Sequence, residues 1–263
     1  MSSKTKLFEI LNNFFDKIYL ITLKRSKDRH ELLESRLKGL DYEIFWAVDG
    51  KKLDRDKLHN EGIYHASITK LLKKRDGRRV GNMSLAKIGC ALSHVGVYKE
   101  IISNNHQKVL ILEDDLNVNH NAVESFTDAL NELPKDWELL YLGYSGSNSS
   151  PSILHKVQNT VLTQISRVLS KSNRFRKLDP EIIKNSLSKP YSKSLNRSGA
   201  NFGTHAYGVT IDGAKKILCY QTPVVQESDN VLGELCSYRW INSYDVKEEV
   251  FYQNKELPST IDK

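Results

Sequence analysis

Cysteine is scarce in this chain: Cys90, Cys219 and Cys236 are the three in 263 residues, far apart and with no Cys-x-x-Cys spacing. An odd, scattered set excludes a disulfide framework and a clustered zinc site, and makes a reducing cytoplasm the expected compartment. Long apolar runs are missing too. No segment approaches the roughly 20 apolar residues that cross a bilayer, and the opening MSSKTKLFEILNNFF has acidic and amide side chains where a signal peptide needs an unbroken apolar core. Neither secretion nor membrane spanning is expected, so the sequons Asn148-Ser-Ser and Asn196-Arg-Ser carry little weight. There is no G-x-x-x-x-G-K-[ST], and GYSGS lacks the spacing of a G-x-S-x-G elbow, which leaves a P-loop NTPase and a serine hydrolase unsupported. Acids are the minority, 32 against 39 Lys and Arg, and the net charge of +7 favours an anionic partner: phosphate, nucleic acid or a lipid headgroup surface.

What is present is the composition of a folded soluble protein, 39% hydrophobic and 27% charged, of a length that fits one ordinary α/β domain or one domain with an appendage. From Lys17, KIYLIT predicts a strand, and a helical pattern follows to about Leu37, with Arg29, Leu32, Leu33, Arg36 and Leu37 at helical spacing. YEIFWAV, closed by Asp49-Gly50, predicts a second strand and turn, and SLAKIGCALSHVGVYKEII a long helix with Ser84 as N-cap. KVLILEDD is an apolar run entering three acids, the pattern of a buried parallel strand at its carboxyl end, where open α/β sheets bind ligands. A helix from about Asn121 to Leu133, the strands WELLYLGY and THAYGVTI, and a helix from Gly213 continue the alternation. The fold class is therefore α/β with a mostly parallel central sheet.

Residues 1–16 read as an amino-terminal extension before a single domain over 17–263. Between Ser145 and about Ala200 the chain turns to Ser, Asn, Lys and Arg, with basic residues from Arg167 to Arg197 against only Asp179 and Glu181. This stretch, 145–200, reads as a basic, partly helical insertion. Its Ile153, Leu154, Val157, Val161, Leu162, Ile165, Val168 and Leu169 suit an amphipathic helix on an anionic membrane face; a lid or solvated loop is the other reading.

For chemistry, Glu113, Asp114 and Asp115 stand out. Alternation along a strand puts Glu113 and Asp115 on the same side, and such a pair can hold Mg²⁺ or Mn²⁺ while leaving positions open for substrate phosphates. A solvated turn or helix cap is the plainer explanation of three acids after a strand, but the apolar run before them favours function.

IYLITLKRSKDRHELLESRL, AVDG, SLAKIGCALSHVGVYKEII, VLILEDDL and HAYGVTIDGAKKIL resemble, in order and spacing, the blocks of glycosyltransferase family 25. That family contains bacterial lipooligosaccharide galactosyltransferases and, more distantly, collagen galactosyltransferases. The resemblance implies a GT-A type fold, a UDP-sugar donor (UDP-galactose most often), Mn²⁺ or Mg²⁺, and an inverting transfer to a glycan. It also implies roles. Asp115 foremost would hold the metal, with Glu113 acting through a water or orienting its neighbour, Asp114 on the donor side, and His205 reaching metal or acceptor. The Thr22 and Leu23 backbone would face the base, Arg25 and Arg29 would stack or bind phosphate through their forked donors, and Lys87 would meet the diphosphate. Asp49 would touch the nucleoside, and His94 would contact the donor or support the acidic loop. Neutralising the departing diphosphate is the task a metal performs; taking the acceptor's proton needs a carboxylate, Asp229 first and Glu227 second.

Each residue also has a plainer reading. Arg29 can pair with Glu31 or Glu34, Asp49-Gly50 is a turn without any ligand, Lys87 can snorkel, and His94 can be a packed helix histidine. Ser228 or Asp229 can cap the helix that VLGEL suggests. The expectation is a cytoplasmic galactosyltransferase, held peripherally on the inner face of a membrane by its basic insertion, acting in β linkage on a lipid-linked glycan such as lipooligosaccharide. Two rivals are a non-catalytic UDP-sugar-binding scaffold and a nucleic-acid binder, for which the charge and Arg174-Phe175-Arg176 speak but which leaves the acidic motif unexplained.

Overall fold

Strands buried on both faces have no polar side to alternate with, so the continuous apolar runs at 17–22, 108–113 and 139–145 settle in the middle of the sheet. The computed structural model describes residues 3–75, 81–145, 151–169, 179–254 and 256–257. The chain begins with α1 (Ser3–Phe14), β1 (Lys17–Thr22), α2 (Lys27–Arg36), β2 (Glu43–Trp46) and a single 3-10 turn (Gly50–Lys52). It continues through α3 (Arg55–Asn60), α4 (Ala66–Arg75), α5 (Leu85–Ser103), β3 (Lys108–Glu113), β4 (Leu116–Val118), α6 (Val123–Glu132) and β5 (Leu139–Ser145). The second half holds α7 (Ile153–Leu169), α8 (Pro180–Lys184), β6 (Lys189–Pro190), β7 (Leu195–Arg197), β8 (Phe202–Thr210), α9 (Ile211–Gln221), α10 (Ser228–Ser237), β9 (Ser243–Val246) and β10 (Phe251–Gln253).

Eight strands form one sheet in the order β2-β1-β3-β8-β5-β9-β7-β6, and β4 pairs with β10 beside it. β1 is parallel to β2 and β3, and β9 is parallel to β5. Only β8 and β7 run against the others, so the sheet is mostly parallel in direction. The reversal of β8 matters for the site. Lying between β3 and β5, it brings its own first residues alongside the carboxyl ends of both neighbours.

Alternation along β1 divides the core. Ile18 and Leu20 join Leu7, Phe8, Leu33 and Phe126 of α1, α2 and α6 on one face, while Tyr19 and Ile21 join Val97, Ile101, Ile217 and Leu232 of α5, α9 and α10 on the other. A smaller cluster of Leu58, Tyr64, Met83, Ile88 and Val224 lies under α3 and α5. Ser84 caps α5 as expected, accepting from the Lys87 N–H.

Three expectations change. Residues 3–16 do not stand apart as an extension: Leu7, Phe8, Leu11 and Phe15 are core side chains, their helical spacing disguised by intervening Lys and Asn. The end of the basic insertion is no insertion either. β6 and β7 complete the sheet, and Ser188, Asn196 and Asn201 are buried donors to the carboxylate of Asp245, so polar composition here marks hydrogen-bonded burial rather than solvent. Finally, α10 starts one or two residues earlier than the two cap readings supposed: Glu227 is its N-cap, without a side-chain bond, and Ser228 and Asp229 lie in its first turn. Arg174, Phe175 and Arg176 lie outside the described residues. No described helix is long and apolar enough to cross a membrane.

Candidate active site

Two adjoining cavities open at the carboxyl ends of β1 and β3 and share Cys90, Glu113 and Asp114 in their walls. Thr22, Leu23, Arg25, Asp49 and His94 line the first. The second, of about 380 Å³, is lined by Arg29, Lys87, Asp115, His205, Glu227 and Asp229 among others. Each candidate site residue named from the sequence thus faces one of the two cavities, although they come from six separate stretches of the chain.

The close approach of α5 to the turn after β2 shapes the first cavity. Gly89 makes it possible: a Cβ there would lie 2.6 Å from the Val48 carbonyl oxygen and 2.9 Å from the Gly50 nitrogen. Asp49 caps the 3-10 turn, accepting from Lys51 N–H, and pairs with Arg25 at 3.0 Å. Burial pushes its carboxyl up, but the Lys51 N–H and the Arg25 guanidinium outweigh burial and hold it below the usual range. Asp49 therefore has a structural role in its turn, as the dipeptide alone allowed.

Arg29 pairs with Asp114, a partner outside its own helix, while the Thr22 hydroxyl donates to the other oxygen of that carboxylate at 2.6 Å. His30 Nε2 lies 3.1 Å from both the Thr22 hydroxyl and the Leu23 carbonyl, so this corner is tied to the first turn of α2. Both partners of the ion pair are buried. A buried carboxylate needs such a counter-charge, and Asp114 is accordingly the acid of the three that is neutralised by the protein itself.

Glu113 accepts from Thr204 Oγ1 and lies 3.2 Å from His94 Nε2. Behind it His94 Nδ1 meets the Tyr207 hydroxyl at 2.8 Å, and Tyr207 meets the Tyr98 hydroxyl at 2.7 Å. His94 is buried and holds Glu113 from behind, and it also lines the first cavity. Burial pushes the Glu113 carboxyl up, but the His94 and Thr204 hydrogen bonds bring it below the usual value.

Asp115 is different. Its Oδ2 accepts from Gln253 at 2.9 Å, whereas its Oδ1 is buried without a hydrogen-bond partner among the described residues. Burial, and next the charge of Glu113, push its carboxyl up to about 6. His205 is buried in the same wall, its ring against Gly143, and burial lowers its proton affinity.

On the far wall, Glu227 lies 3.3 Å from Lys87 Nζ and 3.9 Å from Lys73 Nζ. Burial raises its pKa, but its own backbone N–H and the two lysines keep it below the usual range. Asp229 has no lysine or arginine partner among the described residues. Its Oδ1 accepts from the Asn230 N–H at 2.7 Å, and burial, reinforced by the charges of Glu227 and Glu113, pushes its carboxyl up. Two acids expected to compete for one role therefore have opposite electrostatics.

The expected ligand trio does not assemble: among the described residues no three His, Cys, Asp or Glu side chains form a metal-holding group. One donor does fit a hard cation, the orphaned Asp115 Oδ1 in the cavity wall. A single carboxylate supplemented by substrate phosphates is a common way for Mg²⁺ to be held, so the residues present fit a cation that arrives with a diphosphate. Thr204, Gln253 and Lys73 are the site residues that the sequence reading missed. Thr204 adjoins His205 in THAYG and was within reach; Gln253, in the carboxyl tail, carries no local signal.

The description "Glycosyltransferase family 25 (LPS biosynthesis protein)" belongs to the family that matches residues 15–232. Procollagen galactosyltransferase 2 of Homo sapiens is 34% identical over 134 residues, 49% of this chain and 21% of that protein. A "Glycosyltransferase 25 family member" of Anopheles gambiae is 29% identical over 208 residues, 76% of this chain and 28% of that protein. The chain thus spans less than a third of the length of either relative. Mouse xyloside xylosyltransferase 1 covers 92% of this chain and 71% of its own at 10% identity and a TM-score of 0.33, too remote to argue from. The match over residues 15–232, which takes in every site residue from Thr22 to Asp229 described above, places the chain in glycosyltransferase family 25.

Proposed function

We propose that this chain transfers galactose from UDP-galactose to a hydroxyl of a glycan acceptor, with inversion to a β linkage, in a reaction that depends on a divalent cation. The observation that carries the proposal is the meeting, in one cavity, of Asp115, with an oxygen that no donor among the described residues satisfies, and Asp229, a half-buried carboxylate without a cationic partner among them. Galactose is favoured by the names of the galactosyltransferase relatives, and a lipid-linked glycan such as lipooligosaccharide by the family description. A cytoplasmic enzyme working at the inner membrane face suits such an acceptor.

The chain's residues divide the work. Asp229 accepts the proton of the acceptor hydroxyl as its oxygen attacks the anomeric carbon; a raised pKa makes it a better base than an ordinary carboxylate, and no lysine among the described residues competes for its charge. Glu227, held ionised between Lys73 and Lys87, positions Lys87 toward the second cavity. Thr22 and Leu23 offer strand-end backbone for the nucleoside, and Arg25 is exposed enough to reach the donor. Asp115 would hold the divalent cation, Mn²⁺ or Mg²⁺, whose positive charge would offset that of the departing diphosphate. Arg29 and Asp114 set the acidic loop rather than reach for the donor.

UDP release from UDP-galactose, UDP-glucose and UDP-N-acetylglucosamine, with Mn²⁺ or EDTA, for the native chain and Asp115→Ala, tests this reading. Metal-dependent release from UDP-galactose, lost in the variant, is the expected result. Another donor turned over would correct the sugar. UDP binding without turnover of any donor across a range of glycan acceptors would make the chain a scaffold, and no binding at all would sink the proposal.

A further inference from the structure

Helix α7 is folded with its polarity reversed. The residues it turns toward the protein are polar: Thr163 and Ser166 are buried and Asn159 half-buried, at helical spacing. Asn159 donates to the Ile183 carbonyl and the Ser186 hydroxyl, anchoring α7 on the segment of α8. Thr163 and Ser166 bond back to the helix's own carbonyls. Its apolar side chains face out: Ile153, Leu154, Val157, Val161, Ile165 and Val168 are each between 47% and 81% exposed. A surface helix of a globular protein ordinarily does the opposite, and a contiguous exposed apolar face of this kind marks an interaction surface.

The charge of the sequence that carries the face selects its occupant. Within α7 the basic residues are Lys156 and Arg167, four more follow in the sequence between 171 and 177, and there is no Asp or Glu from Pro151 until Asp179 and Glu181 of the α8 segment. A second copy of the chain would bring two such basic stretches together, and like charges would oppose the contact. An anionic bilayer meets both features, since its headgroups attract the basic residues and its acyl boundary takes up the apolar face.

We propose that α7 is a membrane-surface helix, lying in the headgroup region of an anionic bilayer with Leu154, Val157, Val161 and Ile165 toward the acyl chains. The chain from Ser145, which lines the second cavity, to Ile153 at the start of α7 spans at most about 28 Å. Docking would therefore hold the cavity near the lipid surface. That this serves a lipid-linked acceptor rests on the proposed function; the docking does not.

Cosedimentation of the full chain with phosphatidylcholine vesicles, and with vesicles of equal phosphatidylcholine and phosphatidylglycerol, reads the docking directly. Native protein should bind the anionic vesicles at least about tenfold more tightly than the neutral ones, and less tightly in high salt. Val157→Ser/Val161→Ser/Ile165→Ser should lose at least about tenfold in binding while keeping the native thermal midpoint, because no inward residue changes. Lys156→Glu/Arg167→Glu should lose the preference for anionic lipid. Equal binding to both vesicles, or full binding by the triple variant, would overturn the proposal. So would a dimer that the triple variant dissociates, or tight binding to a duplex oligonucleotide with none to vesicles. UDP release without vesicles, measured in the same variants, should stay at the native level; its absence from the native chain would count against the proposed function and leave the vesicle result standing.

Discussion

Arg29 in α2 and Asp114 at the end of β3, 85 residues apart in sequence, form a buried ion pair beneath the hydroxyl of Thr22. Removing one partner leaves the other charge buried and uncompensated, whereas removing both does not. Arg29→Met is therefore expected to cost about 3–5 kcal/mol of stability, and the double variant Arg29→Met/Asp114→Leu to recover most of that loss. Urea denaturation of the native protein, both single variants and the double variant measures the coupling; losses that simply add would show that the two side chains are not coupled.

Asp229 and Glu227 are separated by a single residue and by their electrostatics. Because a base works deprotonated, activity should fall as pH drops through the raised pKa of Asp229, placing the acid limb of the kcat/KM profile above the ordinary carboxylate range. Asp229→Asn should lower kcat by about 10²–10⁴-fold with little change in donor KM. Glu227→Gln should lower kcat by less than about tenfold, since that carboxylate is already committed to Lys73 and Lys87. Equal losses in the two variants would remove the distinction on which the assignment rests.

Much of this was legible in the sequence wherever one physical signal dominated. KIYLIT, KVLILE and WELLYLGY announced central strands because burial on both faces leaves only apolar residues, and Ser84 announced the start of α5. The site was legible as a set of residues but not as a set of partnerships. Arg29 reaches Asp114, outside its own helix, because the β1–β3 pairing brings the two together, and no local spacing encodes that. β6 and β7 were hidden for a related reason: a short sheet edge whose core consists of Ser, Asn and Asp hydrogen bonds reads as solvent-facing until Asp245 is placed among them.

Asp245 also gives a pH dependence of known sign. Burial raises its pKa, only partly opposed by the donors Asn196 and Ser188. A carboxyl raised in the folded state binds its proton more tightly there than in the unfolded chain. The stabilisation from protonation is complete below the unfolded value of about 3.9 and is lost as pH rises through the folded one. Asp245→Asn, uncharged at every pH, should accordingly gain stability relative to the native chain between about pH 4 and pH 7. Urea midpoints across that range decide it, and a difference that stays flat or shrinks contradicts the shift.

Gly89 connects packing to the donor side of the cleft. The Cβ of an alanine would meet backbone atoms of Val48 and Gly50, which cannot rotate away as a side chain would, so α5 and the turn carrying Asp49 must separate. Overpacking of this kind costs about 1–3 kcal/mol. Because Val48, Asp49 and Gly50 line the first cavity, the displacement should reach the donor as well as the fold. Gly89→Ala should therefore weaken UDP binding in calorimetry and raise donor KM more than it lowers kcat. Cys90→Ala, one residue along and without added bulk, should leave UDP affinity close to native; if instead Gly89→Ala loses stability but binds UDP normally, the first cavity is not where the nucleotide sits.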